Sequence, residues 1–245
     1  MGALPPADIA ALLIFLLCWL GYGPAVRFFA PNAINIGLTA LRVAWMRTML
    51  RRENRIVDSS LIGHVVHSAS FFASTSLIVI GALLSLLSGV ERLQPAIESL
   101  AFVSPMPRFV FEMKILLPLC VLITGFVKLT WSLRQLNYTI AMLGAAPDRR
   151  EVGASLEPLA DAIGKMMSIA LSTFNAGIRA YYFALAGLAW VIGPWAMVVT
   201  TLGLTAMLFW RQRASPAAVG FRRGLAAMEA AHAAIEARAT PEERV

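Results

Sequence analysis

The chain has 245 residues, 58% of them hydrophobic and only 14% charged, with a formal net charge of +7. An average soluble domain carries roughly 25% charged and 45 to 50% apolar residues, so the composition excludes an ordinary soluble enzyme and points to an all-α, polytopic membrane helix bundle. The positive charge lies between apolar runs, which ties it to topology and to anionic lipid, with no nucleic-acid partner expected.

The first apolar span runs from about Ile9 to Val26. Met1 to Asp8 carry no Lys or Arg, so this span is expected to be retained and not cleaved as a signal peptide, with the N-terminus outside. A second span runs from about Leu61 to Leu87 and a third from about Phe109 to Trp131. Each has the roughly 18 or more apolar residues that cross a hydrocarbon core of about 30 Å. Cys18 and Cys120 fall inside these runs and read as small hydrophobes; they build neither a disulfide nor a metal framework.

The apolar region from Ile169 to Trp210 admits two readings. A single crossing from Tyr181 to Phe209 gives four spans, but it is roughly 43 Å of helix, too long without strong tilt. Two crossings, about Ile169 to Ile192 and about Trp195 to Trp210, give five, with Gly193-Pro194 as the turn between them. The distribution of arginine favours five. Arg27, Arg42, Arg47, Arg51, Arg52 and Arg55 lie between spans one and two, and Arg134, Arg149, Arg150 and Lys165 between three and four. Arg211, Arg213, Arg222, Arg223, Arg238 and Arg244 follow the last span. With five spans all three basic segments are cytoplasmic, while the loop between spans two and three, with Arg92 and Arg108 offset by Glu91 and Glu98, is outside. The expected location is therefore the inner, cytoplasmic membrane, with the C-terminus in the cytoplasm.

Two segments outside the spans read as amphipathic helices. One follows Pro31 and Asn32, a candidate N-cap, with Leu38, Leu41, Trp45 and Met49 on one face. The other opens with Ser215 as N-cap and Pro216 at the first helical position, then sets Phe221, Leu225, Met228, His232 and Ile235 along one stripe. That stripe covers the protein's own cytoplasmic surface, a partner helix or a second copy. Residues 1–210 are accordingly read as the membrane domain and 211–245 as a cytoplasmic helical tail.

Polar side chains enter the spans at three places. Ser168, Ser172, Asn175 and Arg179 share a face of the fourth span, with Arg179 near mid-membrane, where a guanidinium costs roughly 2.5 to 3.5 kcal/mol. Thr124, Lys128, Trp131, Ser132 and Gln135 follow helical steps in the third. His64, His67, Ser70 and Ser74 lie near one face of the second. Hydroxyl and amide side chains are ordinary glue between membrane helices, and Gly81, Ser85 and Gly89 permit close packing. Arg179 needs a counter-ion, for which Asp58 and Asp161 are candidates; Lys128 is close enough to a helix end to snorkel to the interface. Glu112 and Lys114 read as a helix-end charge pair.

No nucleotide-binding, zinc-protease, CxxC or G-x-S-x-G motif occurs, and no cofactor is expected. His64 and His67, three apart, are the one weak metal or haem possibility, and a bis-histidine haem ordinarily takes one ligand from each of two helices.

Four runs carry a resemblance. They are Arg55-Ile56-Val57-Asp58, Phe71 to Ile78 (FFASTSLI), Trp131 to Tyr138 (WSLRQLNY) and Phe174 to Leu185 (FNAGIRAYYFAL). As a set they resemble the bacterial integral-membrane family filed as a domain of unknown function, number 599 of its series. The resemblance implies a membrane helix bundle from the first span to the last and brings no activity, cofactor or catalytic residue.

Three functions are compatible with these residues. In the first, an oligomeric channel, transporter or binding protein lines a basic pocket or path with Arg179, Asn175, Lys128, Gln135, Ser172 and Ser168, for a small anion or a lipid headgroup. In the second, the chain is an accessory or assembly subunit of a larger membrane complex, docked through its amphipathic helices. In the third, it is a redox or metal protein using His64 and His67.

Overall fold

The computed structural model describes residues 4–30, 34–100, 103, 105–147 and 156–239, without the side chains of 35, 36, 232 and 235–239. Every regular element in it is helical: α1 (Pro6–Phe29), α2 (Ile34–Arg51), α3 (Ile56–Ser88), α4 (Val90–Glu98), α5 (Arg108–Gly144), α6 (Glu157–Leu188), a 3-10 turn (Ala189–Val191), α7 (Pro194–Arg213) and α8 (Pro216–Ala239). Proline opens α1 and α7, and stands second in α6, where its missing N–H costs nothing. Pro24 and Pro118 lie inside α1 and α5, as membrane helices tolerate better than soluble ones.

Helices α1, α3 and α5 are each long and apolar enough to cross a membrane. Their outward faces are apolar too. Leu17 and Ile78 are exposed, as are Trp195 and Val199 on α7. In water so much exposed apolar surface would drive association; lipid would cover it.

The contact between α5 and α6 is built on glycine. A methyl group added at Gly125 would lie 2.6 Å from the Cβ of Ala180, and one at Gly177 would lie 2.7 Å from Cγ of Leu129. Backbones approach this closely only where small residues meet. Ser132 Oγ donates to the Ala170 carbonyl at 2.7 Å across the same seam. A third glycine, Gly164, lets α2 lie on α6, since a methyl group there would meet Val43 Cα at 2.6 Å. Gly81 plays no such role, having open space where its side chain would be. Helix α3 joins α5 and α6 through Ala69, Leu136 and Ala170, and through the Tyr181 hydroxyl, which donates to the Phe72 carbonyl at 2.7 Å and bonds Ser76. Most other hydroxyls bond their own helix instead, as Thr124 does to Cys120, Thr139 to Gln135 and Ser168 to Gly164.

After Leu188 the helix tightens into the 3-10 turn, passes through extended Gly193 and restarts at Pro194. Thr200 Oγ1 donates back to the Ala186 carbonyl at 3.3 Å, so α6 and α7 form an antiparallel hairpin. One continuous helix from Tyr181 to Phe209 is thereby excluded, because the backbone reverses within it.

The amphipathic segments pack on the protein itself. Met46, Met49 and Leu50 of α2 are buried against Ile62, Ile163 and Met167. Arg47 forks onto both Asp161 oxygens at 2.7 and 3.0 Å, and Arg51 reaches Glu157 at 2.7 Å. Phe221 and Leu225 of α8 approach α2 at Gly37, so the tail stripe covers the protein's own surface. Ser215 caps α8 as expected, accepting from the Ala218 N–H at 3.1 Å. The candidate cap at Pro31 and Asn32, the side chains of His232 and Ile235, and Arg149, Arg150 and Arg244 lie outside what the structure describes.

At the end of the bundle away from α2 and α8, three buried polar groups meet. Trp190 Nε1 donates to Asp8 Oδ1 at 2.6 Å, and Lys114 Nζ stands 3.8 Å from the same oxygen. Lys114 is therefore not paired with Glu112, which accepts from Arg108 at 2.8 Å one helical turn away.

Candidate functional site

Helix α6 sets Asn175, Ile178, Arg179 and Tyr182 on one face, because three- and four-residue steps return to the same side. That face looks onto the second half of α1 and the end of α7. The hairpin brings Arg211 and Gln212 back to this level, and the turn after α7 adds Ser215. Together with Tyr22 these residues enclose a crevice of about 230 Å3. The Tyr22 ring lies under the Arg179 guanidinium at 5.2 Å, a cation–π contact worth about 0.5 to 2 kcal/mol.

Arg179 shares a crevice with Arg211, so it stands at the end of the bundle where Arg211 and Arg213 close the last turn of α7. A side chain on α6 leans toward the start of its helix, which carries the guanidinium further in that direction.

Neither candidate counter-ion reaches it. Asp58, 1% exposed, accepts from Arg52 Nη1 at 2.8 and 3.0 Å and from Trp45 Nε1 at 2.7 Å. Asp161 is held by Arg47, whose hydrogen bonds keep its carboxyl below the usual carboxylate range. The physical reason is proximity: α2 lies along the first turns of α6 and beside the start of α3, and its arginines claim both carboxylates first. Around the crevice the neighbouring charges are all positive. Arg27 and Lys128 lie within electrostatic reach of Arg179, and Arg211 of Tyr22. Among the described residues, Arg27, Arg179 and Arg211 form no ion pair, and no carboxylate lines the crevice.

The family model described as protein of unknown function, DUF599, matches residues 10–217 of the chain. The chain belongs to this family. The matched segment runs from the second turn of α1 to the first turn of α8, so every residue that lines the crevice lies in the family region and most of the arginine-rich tail lies beyond it. No curated protein and no solved structure matches the chain.

The remaining sequence-derived residues of this family member divide. Gln135 is buried and its Oε1 has no hydrogen-bond partner, but it does not join Arg179. The α5–α6 register fixed at Gly125 against Ala180 and Ser132 against Ala170 sets Gln135 level with Met167, roughly 18 Å along α6 from Arg179. Ser168 is buried and bonded within its own helix, and Ser172 is exposed. Lys128 is half-exposed on α5, outside the crevice lining. His64 and His67 are both exposed, and no group of three or more His, Cys, Asp or Glu among the described residues is placed to hold a metal. Sequence reading missed Tyr22, Tyr182, Arg211 and Gln212 as site residues. The available signal was the hairpin: once Gly193-Pro194 is a turn, Arg211 must return toward Arg179.

Proposed function

We propose that this protein is a five-span inner-membrane protein whose crevice around Arg179 seats the anionic headgroup of an inner-leaflet lipid or a small free anion of the same phosphate chemistry. Five spans follow if the α6–α7 hairpin crosses twice beside α1, α3 and α5. The basic ends of α1 and α7 then lie on one side, with the Asp8–Lys114–Trp190 cluster on the other, and the arginine-rich side is cytoplasmic by the positive-inside rule.

The observation that carries the reading is the pairing of Arg179 and Arg211 around a 230 Å3 space, with Arg27 in electrostatic reach of Arg179 and no carboxylate among the described residues that line it. Like charges brought together raise the local potential and favour an anion between them. Guanidinium groups fork onto phosphate oxygens, and Asn175, Gln212, Ser215 and Tyr182 supply further polar atoms around the rim. The first turn of α8 opens here, adding the positive end of its dipole. Binding suits this arrangement better than a conduit, because Gln135 lies far from Arg179 and Ser172 faces outward. Docking to a larger complex through the tail has less support, since Phe221 and Leu225 already lie against α2.

The test is lipid retention by the full chain purified in mild detergent. Phosphatidylglycerol should stay bound where phosphatidylcholine washes away, and Arg179→Gln should weaken retention roughly 10- to 150-fold, the equivalent of a charge-assisted hydrogen bond of about 1.5 to 3 kcal/mol. Thermal stabilisation by inorganic phosphate alone, lost in the same variant, would identify the free anion as the occupant. Equal retention of both lipids, no phosphate effect and no change in Arg179→Gln would refute the reading.

A further inference from the structure

A second cavity, of about 670 Å3, opens between α2, α3, α6 and α8. Its walls are Leu38, Leu41, Trp45, Val65, Leu171 and Met228, apolar side chains from all four helices. Its volume is that of a site for one drug-sized ligand, within the roughly 300 to 1,000 Å3 such pockets span. Three charged groups touch it, and two cancel: Arg52 is neutralised by Asp58 at 2.8 Å. Arg42 is left over. It is half-buried, and among the described residues it has neither a hydrogen bond nor an ion pair. Burial pushes its pKa down to about 10, a sign that its charge is held at a cost.

A lone guanidinium in an apolar chamber defines a ligand by charge and by shape. One uncompensated positive charge calls for a monoanion, and a planar fork suits a carboxylate, which it can grip through two parallel hydrogen bonds. The apolar walls call for a hydrocarbon chain, and the volume suits one chain in preference to the two of a phospholipid. Leu61 and His64, both exposed at the mouth, put the opening on α3, whose outward side continues as Val57, Phe71 and Ile78. An amphiphile moving within the inner leaflet therefore meets the entrance along an apolar face.

We propose that this cavity binds a long-chain fatty acid, with Arg42 pairing its carboxylate and the chain lying between α2, α3, α6 and α8. The site is separate from the Arg179 crevice and does not depend on that reading.

Trp45 lines the cavity and provides the probe. In full-length protein purified in mild detergent and stripped of lipid, brominated stearate should quench tryptophan fluorescence saturably, and Trp45→Phe should remove most of that quenching. The methyl ester of the same acid, with chain but no charge, should bind at least tenfold more weakly. Arg42→Gln should lose at least tenfold for the acid and little for the ester, Arg42→Lys should recover part of the loss, and Arg179→Gln should change nothing. Should Arg42→Gln fold poorly, the comparison of acid with ester on the wild type, repeated as competition against tritiated palmitate, decides alone. Unsaturable quenching, equal affinity for acid and ester, or an unaffected Arg42→Gln overturns the proposal.

Discussion

Replacing Asp8 by Ala removes the one carboxylate paired with Lys114 among the described residues, in a place where both are largely shielded from water: Asp8 is 5% exposed and Lys114 4%. Breaking a buried ion pair from one side costs about 3 to 5 kcal/mol, because the surviving charge is stranded. The Trp190 indole N–H, fully buried, loses its 2.6 Å acceptor as well, adding about 1 to 3 kcal/mol. The two losses share one oxygen and one cavity, so they are not additive, and about 4 kcal/mol is the expected total. The assay is a denaturing-detergent titration of the purified protein, followed by far-ultraviolet circular dichroism. Two further variants separate the contributions. Asp8→Asn keeps an acceptor for Trp190 and should recover only part of the loss. Asp8→Ala combined with Lys114→Met should be clearly more stable than Asp8→Ala alone, since no charge is left stranded. A single Asp8→Ala variant within about 0.5 kcal/mol of wild type, or strict additivity of the pair, would show that the cluster is not buried as described and would refute the argument.

Gly125→Ala should separate α5 from α6, since its methyl group meets the Cβ of Ala180 at 2.6 Å and the Gly177 carbonyl at 3.2 Å, neither of which can swing away; a loss of about 1 to 3 kcal/mol is expected in the same titration, against almost none for Gly81→Ala. Ser215→Ala removes the α8 N-cap and should cost about 1 kcal/mol locally, read as faster amide exchange in the first turn of α8. The pH dependence of the α2–α6 contact has a defined sign. Arg47 lowers the folded-state pKa of Asp161, so the stabilisation is complete above the unfolded value of about 3.9 and is lost as pH falls through the folded one. The melting difference between wild type and Arg47→Gln should therefore hold at neutral pH and shrink below about pH 4.

What the sequence made legible was local. Three helices long and apolar enough to cross a membrane followed from apolar length alone, the reversal at Gly193-Pro194 from the inability of that pair to continue a helix, and the start of α8 from Ser215-Pro216. Pairings across helices were hidden. Lys114 sits two residues from Glu112 in the chain, yet its partner is Asp8 at the far end of the sequence, brought near only when α1 folds back along the bundle. Asp58 and Asp161 looked available to Arg179 because composition does not say that α2 lies beside both. Gln135 and Arg179 each stood on a polar stripe, but the stripes meet only if the helices slide into the right register. That register is set by Gly125 and Gly177, small residues that leave no mark on hydrophobic periodicity.

Helix α8 begins at the rim of one chamber, with Ala217, and eleven residues later contributes Met228 to the wall of the other. A rigid displacement of its first turn, were a ligand to cause one, would move Met228 as well, and thermodynamic linkage would then make the influence run equally in reverse.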